Sequence, residues 1–404
     1  MKERDFIFIV IKCALFVIPI EGNYSGINLP EGHLKYYFNS FPAEAEKCRN
    51  DVACPYKNHL NTKACWGYEA NCKPENSFSI PHCPGEHKGW VATKSAQLDT
   101  FYAQGDFGYV RDQRREMMIL CEPLFVEDSS LECTEHMRFC RGRNIMINFT
   151  DLINRSEPIR YKMDVLKEGD IGGYCKLNKK RLEEQADHIS PLQSWGPEIR
   201  NFRSLPRKPI VDGDCDVVIE KPTFIMKIDA TVNIYHHFCD FLNLYASLHV
   251  NLSHPTAFNR DNHIMIWESY SYRSMFQETF AAFTSNPLWD LKTFRGETVC
   301  FKNVVFPLLP RMIFGLYYNT PLIYGCQKSG LFEAFGDHVM HHLGITLHER
   351  KDAKVRVTLL SRDTQYRRIL NENELVKALK KNPNYRVKKS TNNNSTRREF
   401  NFQH

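Results

Sequence analysis

No two cysteines of the chain stand at C-x-x-C spacing, which argues against zinc ribbons and thioredoxin-type redox sites. After the N-terminal segment, no apolar run reaches the ~18 residues of a membrane helix, so no membrane span is expected. The kinase-like triplet Asp106-Phe107-Gly108 has neither an H-R-D loop nor a glycine-rich loop beside it, and a kinase reading is dismissed. Internal repeats are absent. Positive charge is in slight excess, with 53 basic against 47 acidic residues and a net charge of +6. That excess is spread along the chain and gives no basic face for nucleic acid. Charged residues make up 25% and hydrophobic residues 42% of 404, ordinary for globular protein, so disordered, collagen-like and membrane-bundle classes are excluded. The length suits about two to three domains.

What the chain does have is cysteine. Residues 1–22 read as a secretory signal: a charged start, an apolar stretch from Phe6 to Ile20 broken only by Lys12, and Gly22 at its end. An uncleaved amphipathic anchor is the alternative. Of 14 cysteines, Cys13 lies in that segment and 13 remain, which read as disulfides of a non-cytosolic chain. The odd number leaves either one buried free thiol or a partner elsewhere. Glycosylation triplets at Asn23, Asn148, Asn154, Asn251, Asn393 and Asn394 fit the same compartment, Asn251 being favoured because it follows a predicted helix.

The 23–205 region holds nine of those cysteines, five of them between Cys48 and Cys83, and reads as a loop-rich, disulfide-stapled region. From about 206 to 350 short apolar strands alternate with helices. Strands are expected at 216–219, 223–226, 263–267 and 299–309, and helices at 233–250, 273–283 and 331–343. On the first helix, Tyr235, Phe238, Phe241, Leu242 and Tyr245 share a face. This alternation predicts a layered α/β domain with a parallel sheet. A further unit follows at 351–388: a strand at 354–361, a helix at 372–381 capped by Asn371 with Glu374 completing a capping box, and a strand opening at Tyr385. Residues 389–404 lack a core-forming period and read as a disordered tail.

The run from Asn233 to Phe241 is the richest in chemistry. His236 and Asp240 stand at i, i+4, and with His237 they offer the imidazoles and carboxylate of a general base; capping and core packing is the plainer alternative. Arg362, Arg367 and Arg368 lie between a strand and a helix, where paired guanidinium N–H groups suit a diphosphate, or where a solvated basic turn would look the same. His338, His341 and His342 have zinc-compatible spacing but no third-ligand pattern, and a partly buried helix surface is preferred. Asp212-Gly213-Asp214-Cys215-Asp216 resembles a D-x-D metal triplet and equally an ordinary acidic loop.

Several motifs together resemble glycosyltransferase family sixty-one. They are Cys65-Trp66-Gly67-Tyr68-Glu69, Asp106-Phe107-Gly108-Tyr109, Ser190-Pro191-Leu192-Gln193-Ser194-Trp195 and Ile219-Glu220-Lys221-Pro222-Thr223. Tyr235 to Phe241, Leu309-Pro310-Arg311-Met312 and Arg367 to Glu372 continue the likeness. The resemblance implies a GT-B-like α/β fold: a cysteine-rich N-terminal region, a Rossmann-like acceptor-side half at 206–350, and the start of a donor-binding half at 351–388. It implies an inverting transferase with UDP-GlcNAc as donor. The acceptors would be Ser/Thr hydroxyls on folded EGF-like repeats of secreted and cell-surface proteins of the Notch type, in the endoplasmic reticulum lumen. His236, His237 and Asp240 would serve the acceptor side; Arg362, Arg367 and Asn371 would bind the donor.

Two departures accompany the likeness. The family's Asp-Tyr-Asp triplet falls at Ser285-Asn286-Pro287, which cannot offer two carboxylates to a divalent metal. The similarity is read as ending near Lys388, before the family's nucleotide loop and retrieval signal. A truncated donor half is therefore expected to bind UDP poorly and transfer sugar weakly, leaving a form that still contacts EGF repeats and is secreted for want of a retrieval signal.

Overall fold

The longest apolar strand, Thr298–Phe306 (β11), joins two kinds of β-structure in the computed structural model. The structure describes residues 24–391 except 25, 88–90, 153, 156, 160, 186–189, 252–254, 295, 311–324, 347–353, 363–364 and 366–367. The signal segment, Arg311, Met312 and Arg367 therefore lie outside the described residues. On one side β11 pairs in parallel with Val217–Ile219 (β7) and Thr223–Met226 (β8). His263–Ile266 (β9) and Trp289–Asp290 (β10) extend that parallel arm. On its other side β11 runs antiparallel to Cys140–Asn148 (β3), with Thr298 opposite Asn148 and Phe306 opposite Cys140.

The antiparallel arm continues through Ser130–Cys133 (β2), Met118–Glu122 (β1) and Lys176–Leu177 (β5). Ile171–Gly173 (β4) also pairs with β3 and, in parallel, with Phe202–Ser204 (β6). The strands of 206–350 pair with one another in parallel, as their alternation with helices predicted, and the strands of the cysteine-rich region add the antiparallel arm that makes the whole sheet mixed. A short connection between β2 and β3, closed by the Cys133–Cys140 disulfide, can only return the chain antiparallel. The cysteine-rich stretch and the α/β stretch on either side of residue 205 share this one sheet.

Helix Ile234–Val250 (the central helix) packs between Phe107–Arg115 and Gly330–His342. Asn233 starts it by accepting the Tyr235 N–H at 3.1 Å. From His237 onward only Phe238 escapes full burial, so the helix is enclosed on all sides rather than on one face. Tyr235, expected on the buried face, is exposed. The helix expected over 273–283 is only a 3₁₀ turn, Gln277–Ala282. Ser274 explains the loss: its hydroxyl donates to the Thr231 carbonyl at 2.6 Å and accepts the Phe276 N–H, drawing the segment into a loop.

Buried polar groups tie the N-terminal region to this core. Asp106 accepts from the Ser79 hydroxyl at 2.5 Å, from its own helix at Phe107 N and from Leu331 N at 3.0 Å. The Asp106-Phe107-Gly108 triplet is therefore a structural staple. Trp66 and Phe107 pack around His249 of the central helix, whose Nδ1 meets the Tyr68 hydroxyl at 3.1 Å. Among the described residues six disulfides form, Cys83–Cys326 joining residues 243 apart in sequence. Cys239 is the odd cysteine, unpaired and buried, its thiol pushed up to about 12 by burial and the carboxylates of Asp240 and Asp229.

Residues 355–391 form a separate pair of parallel strands, Val355–Ser361 and Tyr385–Thr391, in register from Val355 opposite Tyr385 to Ser361 opposite Thr391. The second strand runs past Lys388, so residues 389–391 are ordered strand and not the expected structureless tail. Between the strands, helix Glu372–Lys380 buries none of its residues. Asn371 does not complete the expected capping box. Its Nδ2 donates to Glu374 at 3.3 Å, while its backbone carbonyl accepts the Glu374 and Leu375 N–H groups.

Candidate functional site

The parallel strands β8 and β9 both end at one cleft, as ligand sites in open α/β sheets do. The cleft has a volume of about 130 Å³. Ile228 and Thr231 follow β8; Ile266, Trp267, Glu268, Tyr270, Tyr272 and Arg273 come from the end of β9 and the loop beyond it. The first turn of the central helix stands against this loop, because His237 Nε2 lies 2.6 Å from the Tyr272 hydroxyl.

The two adjacent histidines diverge. His237 is fully buried, and its Nδ1 lies 3.0 Å from Asp240 Oδ2. Burial raises the Tyr272 hydroxyl to about 12, so it keeps its proton at neutral pH and shares a hydrogen bond with His237 Nε2. Burial pushes the Asp240 carboxyl up to about 6, the His237 contact opposing that rise. Both Asp240 oxygens also face the Asp229 backbone N–H at 3.3 Å.

His236 is half-buried and turns the other way, its Nδ1 2.6 Å from Asp229 Oδ2. The spacing suggested a pairing of His236 with Asp240; the structure pairs Asp240 with His237 three residues earlier, because that imidazole is the one facing inward. Asp229 and Tyr272, which complete the two pairs, carried no sequence signal beyond their places after predicted strands. The strand-end rule applied to residues 226 and 267 is the signal that could have found them.

The residues expected at a donor site lie elsewhere. Arg362 follows the strand Val355–Ser361 and is exposed, as is Asn371. None of the described hydrogen bonds or ion pairs joins Arg362 or Asn371 to the histidine pairs.

The residues at 285–287 do not fit a divalent metal. Ser285 donates to the Arg260 carbonyl, and Asn286 donates to Asp261 at 3.3 Å and to the Asn262 carbonyl at 2.8 Å. The neighbouring carboxylate, Asp261, is held by Lys221 at 2.6 Å. The acidic 212–216 loop is likewise committed: Asp214 to Arg207, Asp212 to Lys208 N, and Asp216 to Thr298 N. His338 is buried, its Nε2 on the Ala282 carbonyl at 2.9 Å, and His341 meets Asn28. Among the described residues the one metal-compatible grouping is Cys65, Glu69 and Cys72, and its two cysteines form a disulfide.

Comparison with known proteins follows the same lines. The family model described as Glycosyltransferase 61 matches residues 217–400, spanning the cleft, the 355–391 unit and part of the segment read as a tail. A relative from Drosophila melanogaster, named EGF domain-specific O-linked N-acetylglucosamine transferase, is 53% identical over 363 residues, covering 90% of this chain and 69% of its own. Relatives of the same name from Pan troglodytes and Gallus gallus are 47% and 46% identical, over 89% of this chain and 67% and 68% of theirs. Identity of that extent cannot arise from a shared fold alone, and the chain belongs to glycosyltransferase family 61.

Proposed function

We propose that this chain transfers N-acetylglucosamine from UDP-GlcNAc to Ser or Thr hydroxyls of folded EGF-like repeats, with inversion at the anomeric carbon, in the lumen of the secretory pathway. The 53% identity to a transferase named for that reaction carries the reading. The disulfides and the glycosylation triplets support the compartment.

In one displacement the acceptor oxygen bonds to the anomeric carbon as the bond to the diphosphate breaks, and the electron pair leaves with UDP. The hydroxyl proton needs a base, and His236 fills that role. It is accessible, and Asp229 holds its Nδ1 and stabilises the imidazolium that forms. His237 and Asp240 are shut away from substrate and orient Tyr272. Positive charge on the departing diphosphate comes from Arg362, with Arg367 five residues on in the sequence.

A second reading keeps the acceptor contact without efficient transfer. In the 355–391 unit the helix buries nothing and Leu360 and Leu370 are largely exposed, so Arg362 stands on a weakly packed support. Incubating the purified chain with UDP-GlcNAc and a folded EGF repeat separates the two. Transfer supports the first; binding of the repeat without transfer supports the second; neither overturns both.

A further inference from the structure

We propose that the 355–391 unit binds a linear sulfated polysaccharide on the face of its strand pair opposite the helix, through Lys354, Arg356, Arg386 and Lys388. The inference rests on the lumenal compartment read above and concerns a surface apart from the histidine cleft.

The positive charge of the chain, expected to be spread along the sequence, is gathered in this unit. Residues 354–391 carry 11 basic and 3 acidic side chains, against 42 and 44 in the rest of the sequence. Outside the unit the chain is slightly negative, so the whole positive excess rides on these 38 residues.

The strand pair decides where the cations point. Successive side chains of a strand alternate between its faces. The Ser361 hydroxyl and the Lys389 ammonium both donate to Glu372 of the helix, at 2.8 Å and 2.6 Å, so the odd-numbered positions face the helix. The even-numbered positions face away. There the ladder sets Arg356 directly opposite Arg386 and Thr358 opposite Lys388, with Lys354 two residues before Arg356. Lys354, Thr358, Arg386 and Lys388 are exposed.

Like charges directly opposite each other across a ladder destabilise it. The described acids of the unit are committed elsewhere, Glu372 on the helix side and Glu374 to Asn371. Among the described residues Arg356 Nε is buried and meets no hydrogen-bond partner. An anion over this face is attracted by all four cations at once and offsets their mutual repulsion.

Spacing selects the form of the ligand. Paired strands lie about 4.8 Å apart, and same-face residues of one strand about 6.6 Å apart. The four charges therefore make a flat patch along the strands, suited to anions repeated on a chain and not to a single phosphate. Guanidinium and ammonium groups meet sulfate oxygens with charge-assisted N–H bonds, and the Thr358 and Ser390 hydroxyls on the same face can bond sugar hydroxyls. In the oxidising compartment that the disulfides support, neither nucleic acid nor the anionic cytoplasmic leaflet of a membrane is at hand. Sulfated polysaccharide is the linear polyanion that remains.

The test uses the full purified chain at about 0.15 M salt and three probes: a heparin oligosaccharide, unsulfated heparosan of the same length, and single-stranded DNA of matching charge. Heparin is expected to bind and heparosan not. Hydrogen exchange on the unmodified chain is expected to show heparin protecting Val355–Ser361 and Tyr385–Thr391 and not the central helix. Added salt is expected to weaken binding as displaced counterions compete. Arg356→Gln with Lys388→Gln is expected to weaken it at least about tenfold, for two charge-assisted contacts are lost. Lys63→Gln with Lys176→Gln takes the same charge from exposed positions elsewhere and is expected to change it less than about twofold. Excess UDP is expected to leave heparin bound.

No heparin binding, equal binding of heparosan, tighter binding of the DNA, protection confined to other elements, displacement by UDP, or equal losses in the two double variants overturns the proposal. Sugar transfer to an EGF repeat by a chain that ignores heparin overturns this inference alone. Heparin binding with these signatures by a chain that transfers nothing upholds it and counts only against the transfer reading.

Discussion

Two helices of the chain follow strands and begin after an asparagine, yet they live in different surroundings. Ile234–Val250 is enclosed from His237 onward, while Glu372–Lys380 buries no residue. Their sequences announce both helices about equally well. The difference teaches that periodicity specifies an element, whereas burial depends on what the rest of the chain brings to it. The central helix is held by the sheet, by flanking helices and by Trp66 and Tyr68 from far upstream. The later helix has contacts mainly with its own strand pair, including Glu372 with Ser361 at 2.8 Å.

That contrast can be tested from its largest consequence downward. His236→Gln, on the enclosed helix, is expected to lower the transfer rate by about 10²–10⁴, the usual worth of a general base. Steady-state kinetics with an EGF repeat would show it, and an unchanged rate would remove His236 from the mechanism. Phe241→Ala should cost about 3–5 kcal/mol in denaturant unfolding, because the ring is fully buried. Leu375→Ala, on the partly exposed helix, should cost under about 1 kcal/mol. Equal costs would mean the 355–391 unit is covered in solution.

Acid should separate the two regions as well. His249 and His338 are buried, and burial holds both well below the usual imidazole range. The unfolded chain gains these protons as pH falls through about 6.5. The folded chain does not, so stability is present above that pH and is lost below it. Each histidine contributes a slope of up to about 1.4 kcal/mol per pH unit. The 355–391 stretch contains no histidine. Hydrogen exchange read as protection relative to the intrinsic rate, from pH 7 to 5, should therefore show the core losing protection while this unit keeps its own. The smallest effect concerns the caps. Asn233→Ala should cost about 1 kcal/mol, for its side chain caps the helix; Asn371→Ala should cost much less, for its side chain does not.

Much of this was legible in the residues. The strands at 217–219, 223–226, 263–266 and 298–306 and the helices from 234 and 330 follow directly from apolar periodicity. The antiparallel arm was not legible, because cysteine-rich loops hide short strands whose pairing is set by distant partners. The helix predicted at 273–283 failed because Ser274 satisfies backbone groups that a helix would have used. At the site, the residue types were readable and the pairings were not. Which histidine turns inward depends on Tyr272, 35 residues further on, and sequence spacing carries no information about so remote a neighbour.

The bridge between Cys83 and Cys326 has a consequence for how the chain is made. At roughly 5–20 residues per second, ribosomes need about 12–50 seconds to synthesise the stretch that separates these thiols. Throughout that interval Cys83 waits near Cys65 and Cys72 in the sequence, which become competent to pair at once because they stand only seven positions apart. Correct maturation therefore requires the early loop to oxidise first and withdraw its sulfurs from competition, so that the long-range clasp closes last.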